Sequence, residues 1–320
     1  MRSWFRNSLI ATILSSAALS AVISISVTRT AAQNRQARTA DGKPNFAGVW
    51  QALNEAHWDL QAHAARAGMV TQPGVYAFDY ARVPAAPVVA LGAAAGVPAS
   101  LGVVQGDGQI PYRPEALKIK QENSEHWIER DPELKCYLPG IPRAMYMPYP
   151  FAIVQGKDKI HMTYAFSNAG RVIHLNRVEG PPDDTFMGHS VGRWEGDTLV
   201  VDVTNFNGKT WFDRAGNFAS DTLKLVERYT PISPDAIRYD VTIEDSKTFT
   251  RPWSISMPLY RRLEANATVL DYPCIEFAEE FMYGHLRKDQ LVKRWEGETM
   301  TVEITRRIPP GDKLHEWYRR

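Results

Sequence analysis

Three side chains in the middle of the sequence have the chemistry to move a proton. His189 sits in a Gly-His-Ser step, and Asp213 and Arg214 sit in the polar stretch NFNGKTWFDRAGNFASD at 205–221. An imidazole exchanges protons near neutral pH, a carboxylate can orient it, and a guanidinium holds an anion. As base, orienter and anion anchor they suit a hydrolase, lyase, isomerase or cyclase that needs no organic cofactor. Long loops on a rigid scaffold commonly carry such groups. The competing reading of Asp213 and Arg214 is an ion pair that holds the loop closed. Trp211, His174, His161 and Arg143 are the expected ligand contacts.

His161 and His174 come together if the stretch 160–177 is a hairpin. A four-residue loop pairs Phe166 with Arg171, Tyr164 with Ile173 and Met162 with Leu175 on an apolar face. His161 and His174 then become diagonal neighbours on the opposite face. Two imidazoles there would share a metal or divide acid and base roles; a polar solvent face is the plainer alternative. No carboxylate lies in the same two strands, and HExxH and paired CxxC are absent, so no metal site is expected. Gly188-His189-Ser190-Val191-Gly192 has the letters of a nucleophile elbow. The elbow needs a helix after it, and here a β-hairpin is expected. Gly106-Asp107-Gly108 reads as a turn rather than a phosphate loop.

The elements that position these residues announce themselves by repetition. Arg193-Trp194-Glu195-Gly196-Asp197-Thr198 returns as Arg294-Trp295-Glu296-Gly297-Glu298-Thr299, and Val201-Asp202-Val203-Thr204 as Val302-Glu303-Ile304-Thr305. Each copy reads as a hairpin with Gly in the tight turn. The second copy is expected to close the same sheet as the first. About ten short strands follow Cys136 with little helix between them, which argues a mainly β fold, an antiparallel barrel or sandwich of calycin-like shape. Short helices are expected over 55–68, from Pro114 to about Arg130, and from Pro273 to Gly284. The almost uncharged, aperiodic stretch 81–108, rich in Ala, Gly and Pro, is expected to lie over the barrel or its mouth. The resulting organisation is a signal peptide at 1–33, a first strand plus irregular and helical covering at 34–134, the barrel at 135–308, and a polar tail at 309–320.

The leader has Arg2 and Arg6 before an apolar run at 9–27 and small residues at 30–32, the pattern of a cleaved export signal. A periplasmic or secreted protein without stable membrane insertion follows. The formal charge is +1, and no basic run offers a surface for nucleic acid. Cys136 and Cys274 are the only two cysteines, and an oxidising compartment favours their pairing over two buried thiols. Abundant aromatics, with 9 Trp, 13 Tyr and 12 Phe, suit a small apolar or aromatic ligand.

Several stretches together resemble a family of exported bacterial β-rich proteins of no established activity. They are Trp58-Asp59-Leu60, Ile110-Pro111-Tyr112, the run KCYLPGIPR at 135–143, and the runs at 148–151, 187–204 and 209–216. The resemblance implies export and a shared β-rich fold, and transfers no reaction. Members of that family carry histidines after the Asp-Arg-Ala-Gly step, where this chain has Asn217, Phe218, Ala219 and Ser220. Gly48-Val49-Trp50 resembles the opening strand of lipocalin-like barrels. Three functions stay in view: an exported barrel that binds a small apolar or aromatic molecule, a cofactor-independent enzyme with a His/Asp/Arg site in the barrel mouth, and an envelope module with no deep cavity.

Overall fold

The computed structural model describes residues 37–67, 96–176, 178–276, 289–296 and 299–307. The leader, the 81–95 part of the uncharged stretch and the 277–284 part of the last expected helix lie outside them. Strands are β1 (Gly48–Ala52), β2 (Arg66–Ala67), β3 (Gly96–Val97), β4 (Phe151–Gln155), β5 (Lys159–Tyr164), β6 (Gly170–His174) and β7 (His189–Glu195). They continue with β8 (Thr198–Thr204), β9 (Lys224–Ser233), β10 (Ala236–Glu244), β11 (Trp253–Arg261), β12 (Asp289–Glu296) and β13 (Thr299–Arg307). Helices are α1 (Pro114–Glu125) and α2 (Trp127–Arg130). Nine strands form a closed barrel in the order β1-β11-β10-β9-β8-β7-β6-β5-β4. All neighbours are antiparallel except β6 and β7, where Ile173 meets Ser190 and His174 meets Val191 in parallel.

The barrel is closed by β1, not by the repeated hairpin. Trp50 pairs with Arg261 of β11 on one side and with Phe151 of β4 on the other. Gly48 makes this seam possible: at φ 138° it occupies a conformation few other residues adopt, and a side chain there would strike the Arg261 guanidinium. Beyond the reach of β1, residues 103–105 take up the β11 edge, with Ser256 N donating to Val103 O (3.0 Å) and Gln105 N to Ser254 O (2.9 Å). This part of the uncharged stretch is wall rather than cover. With both sides of the seam occupied, no edge is left for the C-terminal copy. That copy does form its hairpin, Glu296 opposite Thr299, but as a two-stranded sheet of its own.

Alternation along the strands sends one set of side chains into the lumen. In β9 these are Leu225, Glu227 and Tyr229, and in β10 Ile237, Tyr239, Val241 and Ile243, all of them at most 1% exposed. Ile173, Val201, Val203, Ile255 and Leu259 reach 0%, so these side chains line no void. The lumen is packed rather than hollow.

The β5–β6 hairpin is registered differently from the expectation. Met162 faces Arg171 and Ile160 faces Ile173, because the connection is longer: Tyr164 N closes it on Ala169 O (2.9 Å). Phe166 leaves the hairpin to bridge Tyr272, and Ser167 and Asn168 take left-handed φ values of 52° and 50°. The shift carries Arg171 into the lumen opposite Met162. There it donates from Nη1 to Glu227 Oε1 (3.1 Å) and from Nε to Ser190 Oγ (2.8 Å), and Nη2 contacts Glu227 Oε2. Tyr239 and Tyr229 hydroxyls also donate to Glu227 Oε1, at 2.6 and 3.0 Å.

One end of the barrel is covered by the segments 53–67, 96–102, 106–150, 205–223 and 245–252. Its stopper is a 3-10 turn, Arg143–Met145, with Tyr164 OH donating to Met145 Sδ (3.3 Å) below and Tyr146 OH to Phe212 O (2.9 Å) above. The helix expected over 55–68 is replaced by turns. Asn54 Oδ1 accepts from Ala56 N and Asp59 Oδ1 from Gln61 N, local bonds that compete with a helix. The helix from Pro114 is interrupted at His126 and ends at Asp131, before Pro132. Cys136 and Cys274 are bonded, with Cα atoms 5.5 Å apart. No helix among the described residues is long and apolar enough to cross a membrane.

Candidate active site at the barrel mouth

Where α2 stops, the chain folds into a turn that presents two carboxylates together. Asp131 Oδ1 accepts from Glu133 N (2.9 Å), and Cys136 N donates to Glu133 O (3.0 Å). Arg143 grips Asp131 with both ends of its fork, Nη1 to Oδ1 at 2.8 Å and Nη2 to Oδ2 at 2.9 Å. The same Nη2 donates to Glu133 Oε2 at 2.6 Å. Arg214 reaches Glu133 from the 205–223 loop, Nε to Oε2 at 3.2 Å and Nη2 to Oε1 at 3.0 Å. Its guanidinium lies 4.9 Å from the Trp58 ring and 5.4 Å from the Trp127 ring. His57 completes the group, its Nε2 being 3.1 Å from Glu133 Oε2.

This cluster is almost dry: His57, Glu133, Arg143 and Arg214 are between 1% and 6% exposed, and Asp131 is at 0%. Burial works against the Glu133 charge, but Arg214, His57 and Arg143 hold its carboxyl well below the usual range. Burial lowers the pKa of His57; Glu133 opposes that, and Arg143 and Arg214 add to it. The imidazole is therefore neutral at pH 7. With Nε2–H donated to a carboxylate, the tautomer is fixed and Nδ1 carries the lone pair. Among the described residues nothing hydrogen-bonds to that buried Nδ1.

Asp213 faces the other way. It accepts from Leu60 N (2.9 Å), Ala215 N (3.0 Å), Asn217 N (3.1 Å) and Asn217 Nδ2 (2.6 Å). Burial and the neighbouring Asp59 push it up to about 7, against the four donors that favour its charged form. Its task is to fasten the 57–60 turn to the 213–217 turn, and Arg214 N donating to His57 O (3.0 Å) adds a second tie. Asp213 thus orients the segment that carries the histidine and never touches the ring.

Of the residues expected to do chemistry, Asp213, Arg214, Arg143 and Trp211 gather in this one region. Trp211 is buried and bridges Phe218 within the same loop. Arg143, expected to touch ligand, is bound up with Asp131 and Glu133 instead. His189 is not brought to them. It begins β7 with its ring outside the barrel, Nε2 3.3 Å from Val178 O and 5.5 Å between ring centres from His174. It lines an open groove of about 710 Å³ with Val191, Arg193, Asp202 and Asn205. His161 remains diagonal to His174, as His161 pairs with Val172 and His174 with Lys159. Burial and the charges of His189, Lys159 and His161 lower the pKa of His174. These three rings share no contact with the mouth cluster, and among the described residues no three metal-binding side chains converge.

The residues that sequence reasoning missed are His57, Asp131 and Glu133. A signal existed: His57 adjoins Trp58-Asp59-Leu60, and the two acids lead into Cys136. Asp131-Pro132 reads first as a helix stop, and that reading conceals its second use.

Compared with models of known families, with curated proteins and with solved structures, the chain matches none.

Proposed function

We propose that this chain acts on a small molecule at the barrel mouth, in an exported and oxidising compartment, with His57 as general base and Glu133 as its orienting partner. One observation carries the reading: a buried, neutral imidazole is tied through Nε2 to a carboxylate while its Nδ1 lone pair has no partner among the described residues. Leaving a buried polar atom unsatisfied costs about 1–3 kcal/mol. Such an atom is what a substrate proton would meet. On taking the proton, the ring gains the Glu133 carboxylate as its counter-charge. Arg214, held flat by Trp58 and Trp127, keeps Glu133 ionised for that moment. The reaction class is proton abstraction within a hydrolysis, elimination or isomerisation that uses no organic cofactor. The tryptophan faces suit an apolar or aromatic substrate. The packed lumen gives no support to a ligand held inside the barrel, so the binding site moves to its mouth. The Cys136–Cys274 bond fits an oxidising location.

A second reading also has an observation behind it. All four carboxylate oxygens of Asp131 and Glu133 are hydrogen-bonded, as in a cluster that simply ties loops together. Substitution separates the two. Gln at position 57 keeps a donor near Glu133 but has no basic nitrogen. On a panel of small esters, hydroxy acids and cyclic compounds, His57→Gln should lower kcat by about 10²–10⁴-fold with the melting temperature nearly kept. Turnover equal to that of the unaltered protein would overturn the reading and leave the loop tie.

A further inference from the structure

After β11 the chain does not leave the barrel at once. Residues 262–276 run back to the mouth as a strap. Tyr272 bridges Phe166, Ser167 N donates to Tyr272 O (3.1 Å), and the Tyr272 ring lies 4.5 Å from Tyr149. Cys274 is then bonded to Cys136, and its Sγ lies 3.8 Å from the Glu133 carbonyl oxygen. The strap therefore ends against the turn that presents Asp131 and Glu133 to His57.

Beyond these Tyr272 contacts, the covalent bond is what ties the end of the strap to the turn. Leu270, Tyr272 and Ile275 are 69%, 42% and 66% exposed, so the strap buries little apolar surface of its own. On the other side of the bond, Cys136 sits at φ 59°, a left-handed conformation that a β-carbon disfavours. Both cysteines are only half-buried, within reach of a reductant. The residues next to the bond are the closed ones: His57 is 3% and Glu133 4% exposed.

We propose that Cys136–Cys274 is a redox latch on the mouth site: its reduction frees the strap and opens the way to His57. The inference rests on His57 being the functional base. The reductant is a dithiol. One of its thiolates attacks a sulfur of the latch, the Cys136–Cys274 bond breaks, and the second thiolate displaces the mixed disulfide. The donor leaves as its own disulfide, and its two protons end on Cys136 and Cys274. The oxidised protein is closed and the dithiol form open.

The test reads access rather than turnover. The full chain, oxidised or treated with dithiothreitol, is exposed briefly to diethyl pyrocarbonate, and modification of His57 is mapped by mass spectrometry against the exposed His161. Reduction should raise labelling of His57 on the order of tenfold relative to His161, as local opening does for a protected group. The Cys136→Ala/Cys274→Ala protein should label equally with and without reductant. Near-ultraviolet circular dichroism reports whether the barrel stays packed. Unchanged labelling of His57 would overturn the latch, as would a rise accompanied by loss of the aromatic signal, which means global unfolding. If the double variant does not fold, the reduced wild-type protein alone decides. A latch that opens without any turnover would count against His57 as a base and leave the latch standing.

Discussion

The lumen of the barrel and its mouth each hold a buried arginine–carboxylate cluster, and the two are finished differently. In the lumen, Arg171 meets Glu227, Ser190 takes the remaining Nε–H, and the Tyr229 and Tyr239 hydroxyls complete the carboxylate. One cation faces one anion, on strands, with no atom of these five side chains left over among the described residues. In the mouth, two arginines face two acids with a neutral histidine between them, on loops. There His57 Nδ1 and Arg143 Nε have no partner among the described residues. A buried network with nothing left over is suited to specifying a core. Spare hydrogen-bonding capacity in a dry place is suited to something that arrives and leaves. The difference separates a group kept for folding from one kept for use.

The largest effect that tests this contrast lies in the lumen. Glu227→Ala leaves Arg171 charged, buried and unpaired, and should cost about 3–5 kcal/mol of stability. Denaturant unfolding followed by tryptophan fluorescence measures it. The wild-type protein and a refolded Glu227→Ala protein should turn over substrate alike per folded molecule. If turnover falls further than the folded fraction does, the lumen cluster belongs to the chemistry and the contrast is broken.

Much of the architecture was legible because it depends on local periodicity. The Glu-Gly-Asp-Thr turn at 195–198 is such a local signal: Gly196 takes φ 62° and Glu195 pairs with Thr198, as the hairpin reading expects. Which strand closes the barrel was not legible. Closure by β1 is a contest for the edges of β4 and β11, settled by pairing of Trp50 with Phe151 on one side and with the far more distant Arg261 on the other. The site was half legible for the same reason. Asp213 and Arg214 are adjacent and polar and draw attention. Glu133 and His57 meet Arg214 through a 57–60 turn fastened by Asp213, a long-range hydrogen bond with no periodic trace. What keeps His189 apart from Asp213 and Arg214 is a rule of period two: Ser190 points into the lumen, so its neighbour must point out.

A smaller effect is read by acid. His57 has a folded pKa below its ordinary 6.5. As pH falls below 6.5, the unfolded chain takes up a proton that the folded chain refuses, so stability drops. Asp213 works in the opposite sense: its folded value of about 7 lies above its ordinary 3.8, so its contribution is present in acid and fades as pH rises towards 7. Asp213 is common to wild type and His57→Gln, so the difference between their stability curves isolates the histidine. Wild type should lose up to about 1.4 kcal/mol per pH unit relative to the variant within that window. Parallel curves would mean that the mouth histidine is not held neutral, and the asymmetry between mouth and lumen would shrink.

The smallest effect concerns the face outside both clusters. His189 rests against Val178 O and beside His174 at the edge of an open groove, where water can replace any bond it makes. His189→Ala should change stability by no more than about 0.5 kcal/mol, and should leave kcat and KM on the responsive substrate unchanged. The physical reason is direction: a β7 side chain that points outward at position 189 shares no atom with the mouth, and no rotamer carries it through a packed barrel wall. Loss of turnover in His189→Ala with an intact fold would place the chemistry on the outer groove. The spare Nδ1 of His57 would then mark nothing but an imperfectly satisfied tie between loops.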